Sequence, residues 1–438
     1  MGNSEIKGQM TFMKNLNRLS IIICAIFSIS IIAFSKPQKR LINQENLIKH
    51  VSMLASDSFE GRGSGYRGER EATKYIANQF KKFGLIPFGD NKTYFQTFTF
   101  HPRKPEKLFQ MSSSRNVIGF IEGNDARLKN EIIVIGAHHD GQGKIGQADG
   151  GRYFHKDKNL NDEIWNSADD NASSVAVLLE IARAIRENKI PHARSILFIT
   201  FGAEEHGLNG SIFYVTHPVF QWKRHSAMLN LEKLGRIPDG IPITASAGTS
   251  PIWSKLLLQT NEKTGLKVES LVPEIISDTD HYPFAARKIP AMVIGLAHEE
   301  DTHLPTDSAD KILFDKLTER ANYILELFLG LANTKEKMPF TGDLSKDVGM
   351  VTVLASAEEI KALKLDSKQG GLKVSSVIQN SPASKASLRG GDVILSVDGN
   401  IIGASNKRED IIREGFAEKG VLTIKVIRNG KTFELKLK

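Results

Sequence analysis

Two carboxylates, Glu204 and Glu205, stand side by side just after the apolar run SILFITF (195–201). Ionised neighbours repel, and burial at a strand end makes the repulsion worse. A positive charge is needed, yet few Lys or Arg lie close by in the sequence. The same kind of residue recurs at four other places. His138, His139 and Asp140 follow EIIVIGA, and Asp169 and Asp170 precede the run SSVAVLLEIARAIRE. Glu232 follows SAMLNL, and His298 and His303 lie in HEEDTHLPTD after IPAMVIGLA. If the apolar runs are strands of one open parallel sheet, their carboxyl ends meet at one edge, where such sheets place ligands. Two divalent cations would satisfy these acids, and neutral His combined with carboxylates is zinc chemistry.

The elements that must position these groups are visible as patterns. EIIVIGA and SILFITF are short, β-branched apolar runs of the kind that form strands covered on both faces, and SAMLNLE and IPAMVIGL supply two more. REATKYIANQFKKFGL (70–85), SSVAVLLEIARAIRE (173–187) and ADKILFDKLTERANYILELFLGLA (309–332) carry helical spacing. Asp170 and Asn171, with Asp169, offer capping chemistry at the start of the second helix. Strands alternating with helices predict an α/β domain, a mostly parallel mixed sheet flanked by helices. NTKEKMPF (333–340) reads as the start of a linker, and the texture then changes to short strands, a short helix and Gly turns. The final stretch is a predicted hairpin around Asn429-Gly430. The expected organisation is a leader over 1–35, a catalytic domain over 36–335, a linker over 336–346 and a small β domain over 347–438.

Composition narrows the class. The 438 residues are 40% hydrophobic and 25% charged, ordinary values for globular protein of two or three domains. The net charge of +8 is spread along the chain, with no dense basic run longer than KPQKR, so nucleic acid is not an expected partner. The single cysteine, Cys24, lies inside LSIIICAIFSISIIAF (19–34), which Lys14 and Arg18 precede. This is the plan of an export leader, with Met13 as the expected start and cleavage near Ser35. The run is short of the roughly 20 residues of a membrane helix, so no stable span is expected after cleavage. An exported product, periplasmic or secreted, would contain no cysteine, and its metals would be held by His, Asp and Glu.

In order along the chain stand HHD (138–140), DDNASS (169–174), EEHGLNGS (204–211), NLE (230–232), SDTDHYPF (277–284) and THLPTD (302–307). With LASDSFEGRGSGYRGEREATKYIANQF (54–80) upstream, this set resembles the co-catalytic zinc exopeptidases. These are the clan MH aminopeptidase family, of the bacterial leucyl aminopeptidase or aminopeptidase Y type. The resemblance implies that His138, Asp170 and Glu232 hold one zinc and that Asp170, Glu205 and His303 hold the other, with Asp170 bridging. It implies Glu204 as general base, moving a proton from the attacking water to the leaving amine. It implies that Asp140 orients His138 through a hydrogen bond. Asp280 and His281 match a further pair, implied to support the ligands or to line the substrate. The implied substrate is a peptide with a free N-terminus. The chain departs from the family at Glu232, where Asp is usual and one extra methylene shifts the carboxylate. Residues 141–169 read as an insertion at the site mouth.

His139 and His206 adjoin ligands but fall outside the ligand pattern, so packing or surface positions are expected for them. His298 reads as a surface residue. EGRGSGYRG (60–68) is Gly-rich and basic, but no buried strand precedes it and no Gly-Lys-Ser/Thr ends it, which argues against a phosphate loop. SVIQNSPASKASLRGGDVILSVDG (376–399) resembles a bacterial-type PDZ domain, with Ser387 where Gly is more usual. Such domains bind chain termini by strand addition, with backbone amides cradling the carboxylate. Val348, Gly349 and Met350 are then the candidate contacts for a peptide or protein C-terminus, with packing on the first domain as the alternative. The expectation is an exported two-zinc aminopeptidase with a PDZ module. A carboxypeptidase or dipeptidase, a single-zinc glutaminyl cyclase, and an inactive peptide-binding protein are the alternatives.

Overall fold

The computed structural model describes residues 41–102, 111–147, 162–237, 243–272, 278–295, 302–344, 347–355, 357–365, 370–403 and 409–438. The expected leader with Cys24, His298 and much of the 141–169 insertion lie outside them. The first domain begins with helices α1 (Gln44–Leu54) and α2 (Arg67–Lys82) and strands β1 (Ile86–Pro87), β2 (Phe95–Phe100), β3 (Ser112–Ile121) and β4 (Ile132–His138). A small antiparallel pair, β5 (Gly143–Lys144) and β6 (Ile164–Trp165), precedes α3 (Ser174–Glu187). Then come β7 (Ser195–Phe201), α4 (Asn209–Thr216), β8 (His225–Glu232), β9 (Ile243–Ser246), α5 (Pro251–Thr264), β10 (Val268–Val272), α6 (Tyr282–Ala286), β11 (Ala291–Gly295) and α7 (Phe314–Asn333).

The main sheet runs β1-β3-β7-β4-β8-β11-β9-β10, with β2 added to β3. β7, β4, β8 and β11 are parallel neighbours, while β3 joins β7 and β9 joins β11 antiparallel. Every residue of β4 and β7 is buried, as their unbroken apolar runs require. On one face, Val134, Leu197, Ile199 and Met228 of the sheet join Tyr214 and Val215 of α4 and Phe284 and Ala285 of α6 in one core. α3 lies against the strands as well, with eleven of its fourteen residues buried. The four central strands and the three helices appear where the periodicity places them. β2 also carries a signal, because Gln96, Phe98 and Phe100 are buried and the residues between are not. β3 opens with three serines and hides its apolar half behind them.

One expected detail is corrected. Neither Asp170 nor Asn171 caps α3, and Asp169 does not either. Ser173 occupies the N-cap position and no side chain caps the helix. Asp170 and Asn171 hold non-helical backbone angles, which turn their side chains away from the helix start. Asn171 instead donates to Leu231 O (3.0 Å) and accepts from Lys233 N (3.1 Å), and Asp169 Oδ1 accepts from Ser173 Oγ (2.9 Å) and Gly235 N (2.5 Å). These bonds pin the segment to the end of β8.

After α7 the chain holds to the first domain, where Phe340 packs on the main core and Thr341 N donates to Thr249 O (2.9 Å). The second domain contains β12 (Met350–Leu354), α8 (Ala357–Ala362), β13 (Leu372–Val377), α9 (Pro382–Lys385), β14 (Val393–Val397), β15 (Asn400–Ile401), α10 (Glu409–Lys419), β16 (Leu422–Arg428) and β17 (Lys431–Leu437). Its sheet runs β12-β13-β14-β16-β17, with β15 on β14. The predicted hairpin is present, with Asn429 and Gly430 both at positive φ, as a two-residue type I′ turn requires. Residues Ile42–Lys438 form one compact unit. Among the described residues no helix is long and apolar enough to cross a membrane.

Two buried histidines make the fold sensitive to acid. His50 meets the Tyr75 hydroxyl (2.7 Å), and His225 lies between the Tyr214 hydroxyl (2.7 Å) and Gln221 O (3.3 Å). Burial lowers each pKa to about 4. The unfolded chain therefore takes up these protons first as pH falls below about 6.5. Their contribution to stability is complete above that pH and is lost as pH falls towards 4. Urea midpoints are expected to drop across this window, and His225→Gln should flatten part of the slope. A midpoint that stays constant from pH 7 to 4 contradicts the assignment.

Candidate metal centre

The carboxyl ends of the parallel strands bring the predicted ligands together. His138 is the last residue of β4 and Glu232 the last of β8, while Glu204 and Glu205 follow β7 and His303 follows β11. Asp170 enters from the segment before α3. His138 Nε2 lies 3.1 Å from Asp170 Oδ1 and 3.1 Å from Glu232 Oε1. His303 Nε2 lies 3.1 Å from Asp170 Oδ2 and 3.2 Å from Glu205 Oε2. The two oxygens of Asp170 thus face two separate pairs of groups. Glu204 stands further off, its Oε2 3.9 Å from His138 Nε2.

The electrostatics ask for cations. Ligand atoms of His138, Asp170 and Glu205 all lie within 4.8 Å of one another. Two carboxylates at such a separation repel by roughly 3–4 kcal/mol at an effective dielectric of about 20. Burial pushes Glu204 well above the usual carboxylate range, and Glu205, Asp280 and Glu232 add to the rise against the pull of His138. Glu232 is also raised, first by burial. Burial alone would lower His303, but Glu205 and Asp170 lift it to about 11. His138 is likewise driven up by Glu232 and Glu204 against its burial. Glu205 Oε1 is buried without a hydrogen-bond partner. Buried His and carboxylates in this number, with an orphaned oxygen among them, fit zinc as a ligand set.

Positive charge does reach the site from segments distant in sequence. Arg62 is wholly buried within electrostatic reach of Asp307, Asp140, Asp170 and Glu205. Its donors go to the carbonyls of Leu54 (2.6 Å), Asn166 (2.8 Å), His139 (2.9 Å) and Ser167 (2.7 Å), so it braces the site without neutralising a carboxylate directly. Lys233 is half-buried next to Glu232, and Asp170, Glu232, Asp169 and Glu205 raise its pKa against its desolvation.

Asp140 meets the His138 ring through its backbone, and its carboxylate has a further part. The contact of His138 Nδ1 at hydrogen-bond distance is the backbone oxygen of Asp140 (3.2 Å), and the carboxylate lies 3.7 Å away. That carboxylate accepts instead from Glu204 N (3.1 Å), Glu205 N (3.2 Å) and Ser64 Oγ (2.7 Å), so it builds the loop that carries both acids. Burial would raise Asp140, but His138, His139 and Ser64 hold it down to about 2. Asp280 is fully buried, with neither oxygen hydrogen-bonded, and burial pushes it up to about 7. Its polar neighbour Ser211 donates to Leu208 O instead (3.2 Å). His281 faces Thr279 Oγ1 (2.5 Å), and burial lowers it to about 3. His139 and His206 are core residues, the first against Thr200 Oγ1 (3.0 Å) and the second against the Phe100 ring.

Sequence reasoning missed three supporting residues. Gln142 Nε2 donates to Glu205 Oε2 (2.6 Å). Asp307 accepts from Asp169 N (2.9 and 3.0 Å) and Asp170 N (3.1 Å) and so seats the bridging carboxylate. Arg62 is the third. Arg62 and Asp307 lie inside motifs already singled out, and that position was the signal available.

In the second domain, Val348 and Met350 point into the core, at 4% and 8% exposure. The Gly349 amide donates to Asp347 Oδ1 (2.9 Å), and the Gly349 carbonyl accepts from Ile378 N (2.8 Å) and Ser381 Oγ (3.1 Å).

Each of the two parts matches a known family separately. Residues 116–328 match Peptidase family M28, and residues 353–438 match the PDZ domain. Aminopeptidase YwaD of Bacillus subtilis is 28% identical over 246 residues, covering 54% of this chain and 48% of the relative. The chain spans about half the length of the curated relatives it matches. Among solved structures, the zinc aminopeptidase BSAP of Bacillus subtilis aligns with a TM-score of 0.52 at 18% identity, over 68% of this chain and 98% of that one. The glutaminyl cyclase of Porphyromonas gingivalis aligns with a TM-score of 0.51 at 18% identity, over 66% and 98%. These two structures share the fold of the first domain. On its ordered motifs, its sheet and its matched segments, the chain carries a domain that matches peptidase family M28, followed by a C-terminal PDZ domain.

Proposed function

We propose that the chain is an exported aminopeptidase that works with two zinc ions and removes N-terminal residues from peptides. The observation that carries this reading is Asp170, whose oxygens each sit 3.1 Å from a different histidine, His138 and His303. One ion would be held by His138, Asp170 and Glu232, and the other by Asp170, Glu205 and His303. Bound there, zinc supplies a coordinated water acidified towards a pKa of about 7 and a Lewis acid for the scissile carbonyl. Glu204 takes the proton of the attacking water and returns it to the departing amine nitrogen. Asp140 holds Glu204 and Glu205 by their amides, so that the base and its neighbouring ligand keep separate targets. The acid-rich edge suits the positive N-terminus of a peptide. The basic and apolar pattern over residues 14–35 supports export.

Lys233 favours a second reading. It is half-buried, stands beside the ligand Glu232 and makes no salt bridge among the described residues. A cation so placed would suit a substrate carboxylate, as in a carboxypeptidase or dipeptidase. The deciding experiment loads the chain with zinc, counts the bound ions and assays aminoacyl-nitroanilides, their N-acetylated forms, and dipeptides with free or amidated C-termini. Two ions, with cleavage that survives amidation and is lost on N-acetylation, is the expected result. Cleavage lost on amidation selects the second reading. One bound ion with cyclisation of N-terminal glutamine selects a cyclase.

A further inference from the structure

We infer that the β12–β13 edge of the PDZ domain is a working part of the peptidase site, with Ser376 and Asp347 as positioning residues for its loops. The inference rests on the two-zinc reading above. The loop carrying Glu204 and Glu205 turns back on itself, because Glu204 O accepts from Gly207 N (2.6 Å) and Leu208 N (2.9 Å). The carbonyl of that same Gly207 accepts from Ser376 Oγ on β13 (2.8 Å). One peptide therefore separates the PDZ hydroxyl from the bond that shapes the loop. Gly207 has φ +99°, and a Cβ there would run into Ser375, so the close approach requires glycine.

A second link reaches the other side of the site. Tyr282 opens α6 directly after Asp280 and His281, and its hydroxyl donates to Asp347 Oδ1 (2.5 Å). The same oxygen accepts from Gly349 N, which fixes it at the start of β12. Between the two links lies an apolar seam. Leu208, Ile212 and Tyr282 of the first domain meet Val351 and Ile378 of the second, none more than 9% exposed. Without the second domain these side chains, and the Gly207 carbonyl, would face water. Both loops are thus clamped from the same edge, and outer contacts of this kind set how well ligands are held.

The test uses the full chain and three readouts: zinc affinity by chelator competition, kcat and KM determined separately, and the thermal midpoint. Ser376→Ala and Asp347→Ala should each weaken zinc binding about 10-fold and lower kcat by a similar factor, at the low end for outer contacts. Ser376→Thr keeps the hydroxyl and should restore both. Ile424→Val removes a methyl from the PDZ core, away from the seam, and should lower the thermal midpoint alone. The inference is overturned if Ser376→Ala and Asp347→Ala shift only the thermal midpoint. It is equally overturned if Ile424→Val weakens zinc binding as much as they do. A wild-type chain that binds two zincs but cleaves no free-amine substrate would defeat the aminopeptidase reading, and zinc competition would still decide this one.

Discussion

Glu204→Gln is expected to leave both zinc ions bound and to lower kcat by about 10²–10⁴-fold, the range for a lost general acid–base. The amide matches the carboxylate in shape but cannot accept the proton of the attacking water. Glu204 lies 3.9 Å from His138 Nε2, outside the 3.1 Å of Asp170 and Glu232, so the ligand set stays complete without it. Its backbone bond to Asp140 is untouched by the change. KM should hold, because the interaction removed belongs to the transition state. Steady-state kinetics beside a zinc count decides the matter. Loss of an ion would make Glu204 a ligand, and a drop of only a few fold would place the base elsewhere.

Asp170→Asn should have the largest effect on the metals themselves. The carboxylate offers Oδ1 to the His138 side and Oδ2 to the His303 side, and an asparagine keeps an oxygen for only one. The other side then meets an NH2 group, which cannot coordinate. Zinc content is expected to fall from two ions to one or none, and activity by more than the 10–100-fold typical of outer contacts. Asp307, which seats the backbone of residues 169 and 170, keeps its amide bonds in this variant, so folding should survive. Two ions retained at wild-type affinity would mean that Asp170 does not bridge.

Much of this site was legible in the sequence, for a physical reason. A buried parallel strand writes itself as an unbroken apolar run, so its carboxyl end is marked to within a residue or two. His138, Glu204, Glu205 and Glu232 stand at those ends. His303 was harder to place, because it lies eight residues beyond the end of β11 and shares that stretch with His298, so only the motif order chose between the two. The misreadings concern groups whose partners are remote. Asp169 and Asp170 sit before a helix and have the chemistry of caps, but bonds to residues 235 and 307 decide their conformation. Arg62 lies 76 residues before His138 in the sequence, and only the fold brings its charge to the acids. That the Asp140 carboxylate also holds two amides depends on where it points, which spacing does not encode.

The contact at Gly207 also bears on how such a chain can be rebuilt. Two recognisable modules joined by a polar stretch look exchangeable, as though either could be recombined with a foreign partner at residues 336–346. The seam denies that freedom. A glycine in one module and small serines at 375 and 376 in the other form a matched set, and a graft bringing a bulky side chain to position 375 would not seat. The two halves are therefore constrained to diverge together, and a compensating change on one side should accompany any change on the other.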